Sequence, residues 1–202
     1  MNKIIVLLSG LFGMLLCFGA MAIDESPGSD LTILRQDSGK NLSEMNISFL
    51  SIIEEFGAEG MDMGEAVKFK APRSGWKLYG VQILGWSGYN KTTESYPIDK
   101  NFLLEIRDKD LHLLYRFADA QNGYFLSDQG PLYGVIEIPP LTVTEEFYVV
   151  FYDRGSMIVA MEADKGTGNS FLYSNGNLEP AQLTTATNET IGINWIIEAV
   201  GK

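Results

Sequence analysis

The chain has 202 residues, 46% of them hydrophobic, which is enough for one domain with its own core. Fifteen Lys and Arg stand against 26 Asp and Glu, a net charge of −11 that repels phosphate backbones and anionic lipid, so nucleic acid is not an expected partner. One cysteine, Cys17, and one histidine, His112, argue against a disulfide framework, a thiol nucleophile and the common zinc sites.

Met1-Asn2-Lys3 is a short basic start, Ile4 to Ile23 carries no charge, and Ala20-Met21-Ala22 is the small-x-small pattern that signal peptidase reads. Residues 1–22 are therefore expected to be a cleaved signal peptide. The mature chain would begin at Ile23 and work outside the cytoplasm, secreted or at the cell surface. The uncharged run is also long enough to span a bilayer if it stays uncleaved, and only then would the membrane be a partner. Lipidation of Cys17 would need a small residue before it, where Leu16 stands.

Residues 23–40 read as an N-terminal tail, broken early by Pro27 and Gly28, with a short strand at 31–35. Residues 41–202 read as one β-domain. Between Leu42 and Phe56 two periods compete. Leu42, Met45, Phe49, Ile52, Ile53 and Phe56 fit a helical face with Ser43 as N-cap and Gly57 as stop, while Ile47, Phe49, Ser51 and Ile53 alternate as in a strand, the preferred reading. From residue 65 the period is 2. Val67 and Phe69 alternate with Lys68 and Lys70, and residues 76–86 form a long apolar strand. Phe102, Leu104 and Ile106 oppose Glu105 and Arg107. Asp108-Lys109-Asp110 turns the chain, and Leu111, Leu113, Tyr115 and Phe117 then alternate with His112 and Arg116, completing a hairpin. Further strands are expected at 133–138, 146–152, 157–161, 170–173 and 191–200, with Pro139-Pro140 and Gly155 separating them. So many short strands with regular turns predict an all-β, antiparallel β-sandwich or barrel, with the sandwich preferred.

The segments GEAVKFKAPRSGWKLYGVQILGW (64–86), FLLEIRDKDLHLLYRF (102–117), YGVIEIPPLTVTEEFYVVFYD (133–153) and NWIIEAVG (194–201) resemble, in that order, jelly-roll-like (galactose-binding-like) β-sandwich modules of secreted archaeal and bacterial cell-envelope proteins, methanogen ones above all. The resemblance covers about residues 60–201. It implies a fold and an extracellular setting, but no settled activity, and it carries over no functional residue.

Candidate chemistry is sparse. His112 has no nucleophile motif beside it and reads as a surface residue. Glu105 and Glu137, each flanked by apolar residues, are the candidates for carboxylate-dependent hydrolysis, with ion pairs to Arg107 or Arg116 as the competing reading. Trp195 is assigned to the core. Trp86, with Tyr89, Asn90 and Tyr96 of the polar stretch 87–97, forms the candidate ligand-binding platform, because sugars pack their C–H faces on rings and offer hydroxyls to amides. Calcium suits this composition better than zinc, and Asp108 and Asp110 in one tight turn are its candidate ligands, with Asp62 and Asp153 near other strand ends, against ordinary turn chemistry. Sequons at Asn41, Asn46, Asn90 and Asn188 mark candidate N-glycosylation sites. Residues 165–169 read as a flexible glycine-rich turn. The expected function is a secreted or cell-surface, non-catalytic module binding a glycan or protein partner in the cell envelope. The alternatives are a structural or adhesive self-assembling protein, and a hydrolase.

Overall fold

The computed structural model describes residues 31–155, 157–185 and 187–202. The expected signal peptide and the start of the tail lie outside the described residues. The strands are β1 (Thr32–Leu34), β2 (Ile47–Phe49), β3 (Met63–Lys70), β4 (Lys77–Trp86), β5 (Asn101–Asp108), β6 (Leu113–Ala120), β7 (Leu132–Thr142), β8 (Glu146–Tyr152), β9 (Ile158–Ala163), β10 (Ser170–Ser174), β11 (Asn177–Pro180), β12 (Gln182–Thr184), β13 (Thr190–Trp195) and β14 (Ile197–Gly201). There are two short α-helices, α1 (Ile52–Phe56) and α2 (Asn122–Phe125), and two 3-10 turns, Leu42–Glu44 and Gly57–Asp62.

One sheet runs β1-β14-β4-β9-β13-β12, with β2 on β9 and β7 on β4; the other runs β11-β10-β3-β8-β5-β6. The pairings are antiparallel. The fold is thus the antiparallel, jelly-roll-like sandwich that the sequence led us to expect. Alternation decides which side chains enter it. Val67 and Phe69 of β3, and Phe147, Val149 and Phe151 of β8, meet Val81 and Ile83 of β4 and Trp195 of β13 in one buried layer. Phe125 of α2 seats on this layer where β4 and β7 offer Gly85 and Gly134, at either of which a methyl group would overlap its ring.

Several local expectations change. The stretch 42–56 is a 3-10 turn at Leu42–Glu44, then strand at Ile47–Phe49, then helix at Ile52–Phe56. The helix starts because Ser51, not Ser43, caps it, accepting the Glu54 N–H at 3.2 Å, and it stops at Gly57, whose φ is 61°. Pro139 and Pro140 do not end a strand. They lie within β7, which pairs only with β4, where the register slips so that Leu78 faces Leu141 and Gly80 faces Glu137. A bulge on an outer strand absorbs the missing N–H groups. Leu111 takes φ 65° in the β5–β6 turn and packs on the outer face of the six-stranded sheet, apart from Tyr115 and Phe117, which pack against the core. The final stretch is two strands. At Ile196 the chain leaves β9 for β4, its N–H bonding the Ala160 carbonyl and its carbonyl accepting from Leu84. Within the stretch expected as tail, β1 pairs with β14. The turn 165–169 is held: Thr167 bonds Asn194 Oδ1 (2.7 Å) and the Gln36 carbonyl (2.8 Å), and Gly166 abuts the Gly192 backbone.

Candidate functional site

A concavity lies where the chain crosses from one sheet to the other. β10 and β11 form a tight hairpin in the six-stranded sheet, closed by Asn175 (φ 51°) and Gly176 (φ 85°), the left-handed pair that a two-residue turn requires. At Ala181 the chain steps across: its N–H donates to the Ser170 carbonyl of β10, and its carbonyl accepts from Ile193 of β13. β12 then joins the other sheet. The step leaves a cleft of about 1070 Å³, with α1 as its far wall. Its floor is apolar, from Ile52, Leu172, Leu183 and Trp195. The Trp195 indole is fixed by its N–H to the Phe171 carbonyl at 3.0 Å. Its rim carries exposed amides and an acid, Asn175, Asn177, Glu179, Gln182 and Asn188. An apolar floor under convergent amides suits a ligand with both C–H faces and hydroxyls.

A shallower basin of about 320 Å³ lies on the outer face of the six-stranded sheet, on the other side of the β10–β11 turn. Glu105 is its buried centre. Arg107 binds Oε2 at 2.6 Å, Arg116 binds Oε1 at 2.6 Å, and the Tyr152 hydroxyl donates to Oε2 at 3.2 Å. Burial pushes the Glu105 carboxyl up, but the hydrogen bonds and charges of the two guanidinium groups outweigh it and hold the carboxyl below its ordinary value. Burial and the Glu105 charge drive the Tyr152 hydroxyl upward. Arg107 also stacks over the Tyr173 ring, 4.7 Å from its centroid. This is the expected ion-paired arrangement. A carboxylate held ionised, with both oxygens bonded, is poorly suited to act as a general acid. Glu137 is exposed, in β7 of the other sheet, and the two acids do not meet.

The platform foreseen around Trp86 is only partly assembled. Tyr89 and Tyr96 pair with ring centroids 4.7 Å apart, and Asn90 is exposed beside them. Its Oδ1 accepts from Thr92 (2.9 Å) and Thr93 (3.2 Å), which spends that oxygen on the turn. Trp86 is half-buried edge-on against Phe49, 5.9 Å away. None of the four lines the cleft. Asp108, Asp110 and His112 bring their ligand atoms within 4.8 Å of one another. Asp108 Oδ1, however, accepts the backbone N–H of Asp110 and of His112, both at 2.9 Å, and Lys109 pairs with Asp110 at 3.0 Å. That is the chemistry of a capped turn. The His112 ring is exposed. Asn41, Asn46, Asn90 and Asn188 are all exposed, as glycan acceptors must be.

Sequence reasoning passed over the rim of the cleft, whose signal is the density of Asn, Gln and Thr between 174 and 190. It also passed over the buried acid Glu65, and it noted Asp153 only as a carboxylate near a strand end, not as a buried one. Burial pushes both carboxyls up, Asp153 to about 6, and the Asp153 charge raises Glu65 further. The signal for Glu65 is its place two residues before Val67 on an inward-facing alternation.

No protein-family model and no curated protein matches the chain. Among solved structures it is similar to that of the cysteine protease and lectin-like domains of Cwp84, a surface layer associated protein of Clostridium difficile, at 15% identity and a TM-score of 0.45. The match covers 70% of this chain and 32% of that one, so the chain spans about a third of its length.

Proposed function

We propose that the protein is an exported, non-catalytic module of the cell envelope that binds a glycan in the cleft between β10–β11, β12–β13 and α1. The observation that carries this reading is the cleft itself. Its volume of about 1070 Å³ accommodates several sugar rings, its floor is apolar, and its rim is amide-rich. Sugar C–H faces pack on the floor while Asn177, Glu179 and Gln182 take hydroxyls. The net charge of −11 directs the choice toward neutral or basic polymers.

The test is retention of the full-length chain on isolated cell envelopes separated into polysaccharide and protein fractions. Retention by polysaccharide is expected. The Asn177→Ala/Glu179→Ala pair should weaken it about tenfold or more, since each lost ligand contact is worth about 1 kcal/mol. Cutting Tyr89 and Tyr96 to Ser should leave it unchanged. Loss with the tyrosines instead moves the site to the 87–97 loop. Retention by protein alone rejects the glycan reading. Concentration-dependent self-association, abolished by a proline in β6, would assign the function to assembly through that eight-residue outer strand.

A further inference from the structure

Buried oxygens without a donor are the most informative feature outside the cleft. Oε1 and Oε2 of Glu65, Oε1 of Gln121 and Oδ2 of Asp153 are fully buried and have no hydrogen-bond partner among the described residues. They belong to one group. Glu65 lies opposite Phe151 in the β3–β8 ladder, and Asp153 follows Phe151 by two residues on the same inward face, so the two acids are diagonal neighbours. The Gln121 side-chain amide donates to the Asp153 carbonyl, which brings the third side chain to the same place. All three residues are at least 98% buried.

The balance of donors and acceptors is one-sided. All four orphaned atoms are acceptors. Asp153 Oδ1 takes the Gly155 N–H at 3.1 Å, and nothing comparable reaches Oδ2. The ammonium of Lys100 goes to the Gly155 carbonyl at 3.2 Å rather than to either carboxylate. A single shared proton joins two oxygens and leaves two without a partner, while two neutral acids would pair all four and form the competing state, in which calcium binds nothing and shifts nothing. A hard divalent cation satisfies all of them at once, and the two carboxylates cancel its charge. Water is a poor substitute, since it offers donors but no charge to two adjacent buried acids.

We propose that Glu65, Asp153 and Gln121 form a buried calcium site that ties β3, the end of β8 and the start of α2 together at one end of the sandwich. Oxygen-only ligands, two of them acidic and one an amide, select calcium over softer metals. With no disulfide available within the described residues, the ion serves as the staple at this end.

The test is thermal unfolding of the full-length chain in EDTA and in about 1 mM calcium chloride. Calcium is expected to raise the melting temperature by about 5 °C or more. It should also co-elute at one ion per chain by elemental analysis after gel filtration. Glu65→Gln should abolish the calcium shift, and Gln121→Leu should reduce it. If Glu65→Gln does not fold, Asp153→Asn and the calcium content of the wild-type chain decide the matter. Asp110→Ala should leave the shift intact. A wild-type melting temperature that is the same in calcium and EDTA, with no bound ion, overturns the proposal. A shift that survives Glu65→Gln but is lost in Asp110→Ala overturns it too, and moves the ion to the β5–β6 turn.

Discussion

Glu105 shows how one residue sets the chemistry of a whole sheet face. Its two oxygens are shared among Arg107, Arg116 and Tyr152, so Glu105→Gln would leave Arg107, only 14% exposed, without its counter-charge. The expected cost is about 2 kcal/mol, between the values for surface and fully buried pairs because Arg116 is half in water. Chemical denaturation of the variant checks this. The same carboxyl also sets a pH dependence. Its folded value is lowered from 4.5, so its contribution is complete above the unfolded value and is lost as pH falls through the lower folded one. Acid titration of stability should therefore show a steeper loss below about pH 4.5 in the wild type than in Glu105→Gln. The ion pair was legible in the sequence, since Glu105 and Arg107 are two apart on a strand and share a face. For Glu65 the alternation with Val67 signals burial, but the lack of a donor to its oxygens was not legible, because that depends on which side chains other segments bring to it.

At the scale of elements, strands were easier to read than helices. The patterned runs of β3, β4, β5 and β8 appear where alternation placed them, because each buries one face against a second sheet. β11 and β12 were missed. They are four and three residues long, mostly exposed, and exist only because Ala181 hydrogen-bonds to both sheets. α1 was half-missed because the fragment Ile47–Phe56 satisfies both periods, and the choice between them is made by β9, which pairs Ile47–Phe49 and leaves Ile52–Phe56 to cover the end of the sandwich. A five-residue helix has little stability of its own, so its cap matters. Ser51→Ala should cost about 1 kcal/mol. Because α1 is one wall of the cleft, the same change should lower polysaccharide affinity several-fold, which titration calorimetry would register, while the Tyr89 and Tyr96 changes leave it alone.

For the whole molecule, the sandwich supplies a frame and the crossing between its sheets supplies the concavity. Asn188 stands on the rim of that cleft and is also a sequon. A glycan attached there would occupy the entrance. Produced in a host that N-glycosylates, the wild-type chain should retain several-fold less polysaccharide than Asn188→Gln, and the two should converge after enzymatic deglycosylation. Equal retention before that treatment would place the bound polymer elsewhere on the surface. Among the described residues no helix is long and apolar enough to cross a membrane.

The sequence by itself determined the class of fold, the net charge and the position of most strands. These follow from composition and from a period of 2, which are local properties of the chain. The tertiary structure decided where ligands and ions can sit. The cleft is built from residues between 50 and 195, and the orphaned oxygens of Glu65, Gln121 and Asp153 come from three separate segments. A side chain such as Asn90 or Asp108 looked available in the sequence, yet its oxygen is spent on its own turn. Glu65 and Gln121 carried no motif, and their side-chain oxygens have no donor among the described residues. Which oxygen is satisfied is settled by its neighbours in space, and those are set by sheet register and strand crossing rather than by sequence distance.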